Sequence, residues 1–381
     1  MRILVTARDV GAALNIIEIV KILKQYAGVT VFIYAQPPAS KYFLRAGIQP
    51  VFEVPLPPTR SLNEASDLLS YANQLIDKLN PDIILSGLSS PGEAGIDEAI
   101  IAECPAHIKT FVLQDFWGEI NFFFEKLADC YLCIDHHAAE ITKKRFNAKT
   151  EVIGSPRHAI YQTLNIEEQR NYIREYFNIT QSTKTIGLFG QALHGIPGYM
   201  ETISQWLQGC LQQEKTKLVI LYRPHPRESE ADKEETIRLL NASGLEWKIL
   251  STKLVEESLL ACDLVCSFFS NCLYDAAYLN YFSLRPILTP VVLNFHSQIQ
   301  NHTNQLNLYE ASPYRKQELA FFCESAHTLA NDIAHLLSKE CSYKYWLQSK
   351  ITLENPSKSI VNTLTSLFNV VAEYKLIPFA D

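Results

Sequence analysis

The chain has no run of the roughly 18 to 20 apolar residues that a membrane-crossing helix needs. It has no G-x-G-x-x-G after its first strand-like segment, so a dinucleotide is not implied. Cationic charge is not in excess either. The 34 Lys and Arg against 41 Asp and Glu leave a net charge of -7, which argues against a nucleic-acid coat or a polybasic membrane patch. Any anionic ligand must therefore be held by local groups. Cys130-x-x-Cys133 followed by His136 and His137 lacks a second Cys or His pair nearby, and strand alternation sends residues three apart to opposite faces. That argues against a zinc site. Short-period repeats and low-complexity tracts are missing too.

What is present is ordinary globular material: 47% hydrophobic residues, 20% charged, and 381 residues, for which two domains is the natural expectation. MRILVTARD runs straight into a strand and not into a signal peptide, so the expected location is cytoplasmic. The nine cysteines lie mostly inside apolar runs, as buried thiols of a reducing compartment do.

Apolar runs of strand length alternate with helix-like patterns along most of the chain. Strands are expected at 2–6, 29–35, 51–54, 81–85, within HIKTFVLQ, at 129–135 and at 150–153. A charged helix and a polar linker fill 158–183. The rhythm then restarts with TIGLFG (185–190), KLVILY, LEWKIL and DLVCSF. The pattern predicts an α/β protein of two Rossmann-like doubly wound domains facing each other across a cleft, 1–157 and 158–381. The last helices, roughly 325 to 375, have the option of packing back on the first domain.

In such sheets ligands bind where carboxyl ends of strands meet helix N-termini. KLVILYRPHPR ends in Arg223, His225 and Arg227, and Ser229 with Asp232 reads as a capping box. DLVCSFFSN ends in Ser270 and Asn271 just before a helix, with Ser270 as the expected N-cap. Exposed amides, a helix dipole and nearby cationic side chains suit phosphate; the alternative is solvated surface arginines and a turn histidine. In the first domain, Asp9 and Gly11 sit on the loop after the first strand, and Ser89 and Glu93 on the small-residue loop after 81–85. Glu93 and Asp97 have the spacing of one helix face. That loop either admits a substrate or is a tight turn. Asp115 beside Phe116 and Trp117 is either a general base with a raised pKa, with the aromatics as a sugar platform, or a helix cap next to core aromatics. Gly190, Gln191 and His194 would floor the domain junction.

The two Rossmann-like halves, the Gly154-Ser155-Pro156-Arg157 junction, the His-Pro pair and the Ser267-x-x-Ser270-Asn271 strand end resemble the GT-B nucleotide-sugar glycosyltransferases. The likeness runs to branches with a His-Pro motif: bacterial sialyltransferases and polysialyltransferases, Kdo transferases and CDP-glycerol polymerases. It implies a metal-independent transferase of surface polysaccharide synthesis with no cofactor, taking a CMP-, CDP- or UDP-linked donor and passing its sugar or polyol phosphate to a glycan or other acceptor. By that resemblance the second domain holds the donor phosphate through His225, Ser267 and Ser270; the strand-end reading adds Arg223, Asn271, Gly190 and Gln191, with Arg227 at the rim. From the residues themselves the first domain is expected to supply the base, Asp9 or Asp115, with Gly11, Ser89, Glu93 and Trp117 toward the acceptor, and His194 of the second domain toward the same cleft. The non-hydrolysing UDP-GlcNAc 2-epimerases share the fold and rank second, since their carboxylate-rich pattern is not visible; a catalytically inactive GT-B binding module is the third reading.

Overall fold

The computed structural model describes residues 1–118, 120–213, 216–305 and 313–369. They form two compact α/β units, one made of Met1–Ala159 and the segment that starts at Glu354, the other of Ile160–Leu353.

In the first unit the order is β1 (Arg2–Ala7), α1 (Val10–Leu23), β2 (Thr30–Ala35), α2 (Ala39–Arg45), β3 (Phe52–Glu53), α3 (Ser66–Leu79), β4 (Ile83–Gly87), α4 (Ile96–Glu103), β5 (Lys109–Leu113), β6 (Cys130–Cys133), α5 (His136–Phe146) and β7 (Thr150–Val152). Its seven strands are all parallel, in the order β3-β2-β1-β4-β5-β6-β7. Helices on both faces explain why Ile3, Leu4 and Val5, or Ile83, Ile84 and Leu85, are apolar without alternation. Helix α1 buries Ile16, Ile17, Ile19, Val20 and Leu23 against that sheet. Helix α5 has sequence-coded ends. Asp135 Oδ1 accepts the Ala138 N–H at 2.7 Å, and Asn147 adopts the left-handed conformation that stops the helix. The helix Pro356–Asn369 sets Leu364 and Leu367 into this same core. The expected helical span from 325 ends in residues outside the described ones.

The second unit runs α6 (Ile166–Tyr176), β8 (Lys184–Phe189), α7 (Tyr199–Leu211), β9 (Leu218–Arg223), α8 (Glu230–Ala242), β10 (Glu246–Ile249), α9 (Val255–Leu260), β11 (Leu264–Ser267), α10 (Cys272–Phe282), β12 (Thr289–Leu293), α11 (Ser297–Gln305) and β13 (Phe321–Cys323). These six strands are also all parallel, ordered β10-β9-β8-β11-β12-β13. The helices Pro313–Lys316, Leu329–Leu336 and Lys339–Thr352 also belong to this unit.

A charged knot fastens α6 beneath the second sheet. Arg174 donates to the carbonyls of Thr183 (2.7 Å), Ala261 (3.1 Å) and Thr180 (3.1 Å) and to Thr185 Oγ1 (3.0 Å). Arg170 pairs with Asp263 at 2.7 Å, and Asp263 in turn accepts the Thr185 N–H at 2.8 Å. This ties the starting ends of β8 and β11 together. Removing one member of such a buried set strands the others, so Arg174→Ala should lower the unfolding free energy of this unit by roughly 3 kcal/mol in urea titrations. A loss below about 1 kcal/mol would mean that the knot is ornamental.

Candidate functional site

Each sheet has one place where the winding reverses. In the first unit β1 lies between β2 and β4, and in the second β8 lies between β9 and β11. At these switch points the helices leaving the two central strands go to opposite faces, which opens a crevice at the carboxyl edge. The segments that follow β8, β9 and β11 in one unit, and β1, β4 and β5 in the other, carry most of the residues singled out from the sequence.

In the second unit the edge is braced by its own polar groups. Gln191 Oε1 accepts the N–H groups of Phe269 (3.0 Å) and Phe268 (3.2 Å). Ser267 is fully buried and its hydroxyl donates to the Phe189 carbonyl at 2.8 Å. Ser267 and Gln191 therefore lock β8 to β11, and the Phe268 and Phe269 amides just after β11 are met by protein. Arg223 is likewise engaged: Nη1 donates to Thr252 O (3.1 Å), Thr252 Oγ1 (3.0 Å) and Ser258 Oγ. Its position at the end of β9 makes it a clamp on the segment between β10 and α9. His194 bonds to Thr236 Oγ1 of α8 at 3.0 Å and packs edge-on against Tyr199, which corrects its placement on an acceptor floor.

The His-Pro turn keeps its exposed chemistry. His225 Nδ1 accepts the Arg227 N–H at 3.1 Å, so the neutral ring carries its proton on Nε2 as a donor. Burial, aided by the positive charge of Arg227, pushes the His225 pKa down to about 4, and the ring is neutral at physiological pH. Arg227 is exposed at the rim. Ser270 Oγ accepts the Cys272 N–H at 3.3 Å, and Asn271, already helical at φ -61°, is the N-cap in place of Ser270. Ser270 and Asn271 remain half-buried at the start of α10.

Glu228, a residue the sequence reading passed over, organises this turn. It is buried, its Oε1 accepts the His225 N–H at 3.1 Å, and its Oε2 accepts the Tyr222 hydroxyl at 2.6 Å. Burial raises its pKa. Gly190 makes room for it, since a Cβ there would lie 2.2 Å from Glu228 Oε1. The available signal was an acidic residue directly ahead of the Ser229 capping box, which the structure contains.

In the first unit, charges gather where β1 and β4 end. Arg8 is buried and donates to Glu93 Oε1 and, at 3.0 Å, to the Ser90 carbonyl. Burial works against its charge, yet Glu98, Asp9, Asp97 and Glu93 together raise its pKa. Glu93 is thus a salt-bridge partner, and it does not share a helix face with Asp97 because α4 starts only at Ile96. Ser89 is buried and donates to Asp97 Oδ2 at 2.6 Å, so it holds that carboxyl and does not face a ligand. Burial drives the pKa values of Asp97 and Glu98 upward. Asp9 Oδ2 accepts both the N–H (2.8 Å) and the hydroxyl (2.7 Å) of Ser90.

Asp115 differs from these. It is only partly covered, at the carboxyl edge after β5, and its carboxylate lies over the first turn of α1, where a Cβ on Gly11 would sit 1.7 Å from Asp115 Oδ2. Gly11 therefore admits a protein carboxylate, not a ligand. Burial pushes the Asp115 pKa up to about 7; Arg157 opposes that rise and Asp9 adds to it. Trp117 is fully buried with Nε1 donating to Asp135 Oδ2 at 2.7 Å, which corrects the sugar-platform reading. Among the described residues no group of three or more His, Cys, Asp or Glu is arranged to hold a metal ion.

Neither a protein-family model nor a curated protein matches the chain. Solved structures do. It is similar to the UDP-GlcNAc 2-epimerase of Neisseria meningitidis bound to UDP-GlcNAc, with a TM-score of 0.68 and 13% identity over 97% of this chain and 100% of that one. A glycosyltransferase from Rickettsia africae ESF-5 has a TM-score of 0.65 and 12% identity, covering 98% and 99%. MurG of Acinetobacter baumannii has a TM-score of 0.58 and 12% identity, covering 96% and 99%. These likenesses establish the two-domain GT-B-like α/β fold. No helix among the described residues is long and apolar enough to cross a membrane.

A carboxyl whose pKa is higher in the folded than in the unfolded chain stabilises the fold at low pH, and that contribution is lost as pH rises through the folded value. For Asp115 the window runs from its ordinary value of 3.8 to about 7. Asp115→Asn should therefore flatten the fall in stability between pH 4 and 8 and exceed the wild type at pH 8 by on the order of 2 kcal/mol in urea unfolding. Identical pH slopes for the two proteins would contradict this environment for Asp115.

Proposed function

We propose that the protein acts on a nucleotide-activated sugar, and that glycosyl transfer is the reading its groups support best. What supports it is Asp115, a half-buried carboxyl at the carboxyl edge of a Rossmann-like sheet, lying over the first turn of α1, its pKa pushed upward by burial as that of a general base at neutral pH would be. In this reading Asp115 takes the proton of an acceptor hydroxyl as that oxygen attacks the anomeric carbon. The bond from that carbon to the phosphate oxygen breaks, and its electron pair leaves with the nucleotide. Taken by itself, the second unit offers a phosphate the Nε2–H of His225, the Arg227 guanidinium and the positive end of α10 near Ser270 and Asn271. Glu228 and Arg223 shape that edge without touching the ligand. UDP-linked donors come first for testing, because the similar epimerase was solved with UDP-GlcNAc; CDP- and CMP-linked donors follow from the His-Pro resemblance.

Epimerisation of a UDP-sugar is the second reading. Inverting a carbon requires one proton removed and one returned, and the further carboxyls Asp9, Asp97 and Glu98 at the same edge favour it. Incubation with each donor, with and without candidate acceptor sugars, separates the two. Transfer predicts nucleotide release that depends on the acceptor, lowered roughly 10²- to 10⁴-fold by Asp115→Asn with donor affinity retained. Epimerisation predicts a changed sugar without acceptor and deuterium uptake from heavy water. Intact donor in every mixture would overturn both.

A further inference from the structure

Both backbone groups of His225 are held by one residue. Its N–H donates to Glu228 Oε1 at 3.1 Å, and its carbonyl accepts the Glu228 N–H at 3.0 Å. His225 to Glu228 are thereby closed into a four-residue turn, with Pro226 at the second position that such turns favour. Inside that turn the Arg227 N–H meets His225 Nδ1 at 3.1 Å, the contact that leaves the ring proton on Nε2. Glu228 is itself anchored. It is 5% exposed, and its Oε2 accepts the hydroxyl of the fully buried Tyr222 of β9 at 2.6 Å. A carboxylate behind an anion site works against the anion, so what Glu228 contributes to this edge is its hydrogen bonds and not its charge.

Gly190, directly after β8, bears on the same carboxylate. Its N–H is spent on the Arg223 carbonyl at 2.9 Å, and a Cβ there would lie 2.2 Å from Glu228 Oε1, the oxygen that receives the His225 N–H. We propose that Glu228 is a positioning residue, seated by Tyr222 and by the space left at Gly190, that fixes the direction and the tautomer of the His225 Nε2–H donor. Gly190, expected from the sequence among the phosphate-binding residues, then acts on a ligand only through Glu228. The importance given to the His225 donor rests on reading this edge as a phosphate site; the positioning of the ring does not.

The test has a spectroscopic arm and a binding arm, both on the full chain. The first is nitrogen-15 NMR of labelled histidine at pH 7, with the His225 signals assigned by their loss in His225→Gln; the second is calorimetric titration with UDP. The wild-type ring should show a single tautomer, protonated at Nε2. Gly190→Ala adds one methyl group and displaces the end of a flexible side chain. It should turn the single tautomer into a mixture and weaken UDP binding roughly tenfold or more, the range for losing a hydrogen bond to a charged group. Glu228→Ala should do the same, and if it does not fold, Tyr222→Phe, which frees Glu228 Oε2, should shift both readouts in the same direction. Glu228→Gln keeps an oxygen for the His225 N–H and should retain the single tautomer, with UDP affinity within about threefold of wild type. A single Nε2 tautomer in folded Gly190→Ala overturns the proposal, as does a mixture in Glu228→Gln equal to that in Glu228→Ala. Unchanged UDP affinity in variants whose tautomer is mixed would count against His225 as a phosphate donor and leave the positioning standing.

Discussion

A parallel sheet brings the carboxyl end of every strand to one edge, and where the winding reverses no helix crosses between the two central strands. Both units of this protein are built on that constraint, at β1 and β4 and at β8 and β11. The candidate site residues follow from how the edge is filled. Short loops leave backbone N–H and carbonyl groups there without ladder partners, and buried polar groups must be satisfied. The protein answers with its own side chains at several positions: Gln191 and Ser267 in one unit, Asp9 and Arg8 in the other.

The two edges are opposite in electrostatic character. In the second unit a neutral, half-buried histidine with its proton on Nε2 and an exposed arginine share a turn with the buried Glu228, which holds that turn through backbone and tyrosine hydrogen bonds. That arrangement suits an anion held by fixed donors and not by a cluster of bare charge. In the first unit a single buried arginine sits among four carboxylates, and burial pushes Asp97, Glu98 and Asp115 toward their protonated forms. A site rich in carboxyls that titrate near neutral pH is suited to moving protons. In the proposed function these two environments would serve different ends, the second unit's donors an anion and the first unit's carboxyls a proton.

Much of the fold was legible because its signal is periodic. Continuous runs such as IIL and LVIL mark strands buried on both faces, and the restart at TIGLFG marks the second unit. Boundaries were less so: the expected third strand of 51–54 is only Phe52–Glu53, and the expected helix partner of Asp97 lies ahead of α4. The candidate loops were found because polar residues directly after apolar strands are easy to see. Their roles were harder, because residue type does not reveal whether a polar group is met by protein or by ligand. Ser89, Ser267, Arg223, His194 and Trp117 all proved to be met by protein. Arg8 and Glu228 went unremarked for the same reason in reverse: an arginine beside an aspartate and a glutamate before a cap look like surface residues until burial is known.

The most direct measurement of the central claim is amide hydrogen exchange with and without a saturating UDP-sugar. The account predicts new protection in the second unit after β8, β9 and β11, at residues 189–191, 223–228 and 268–273, and in the first unit at 8–11 and 114–117. Protection confined to other surfaces, or none with any nucleotide-sugar, would contradict the assignment of these strand ends as the working site.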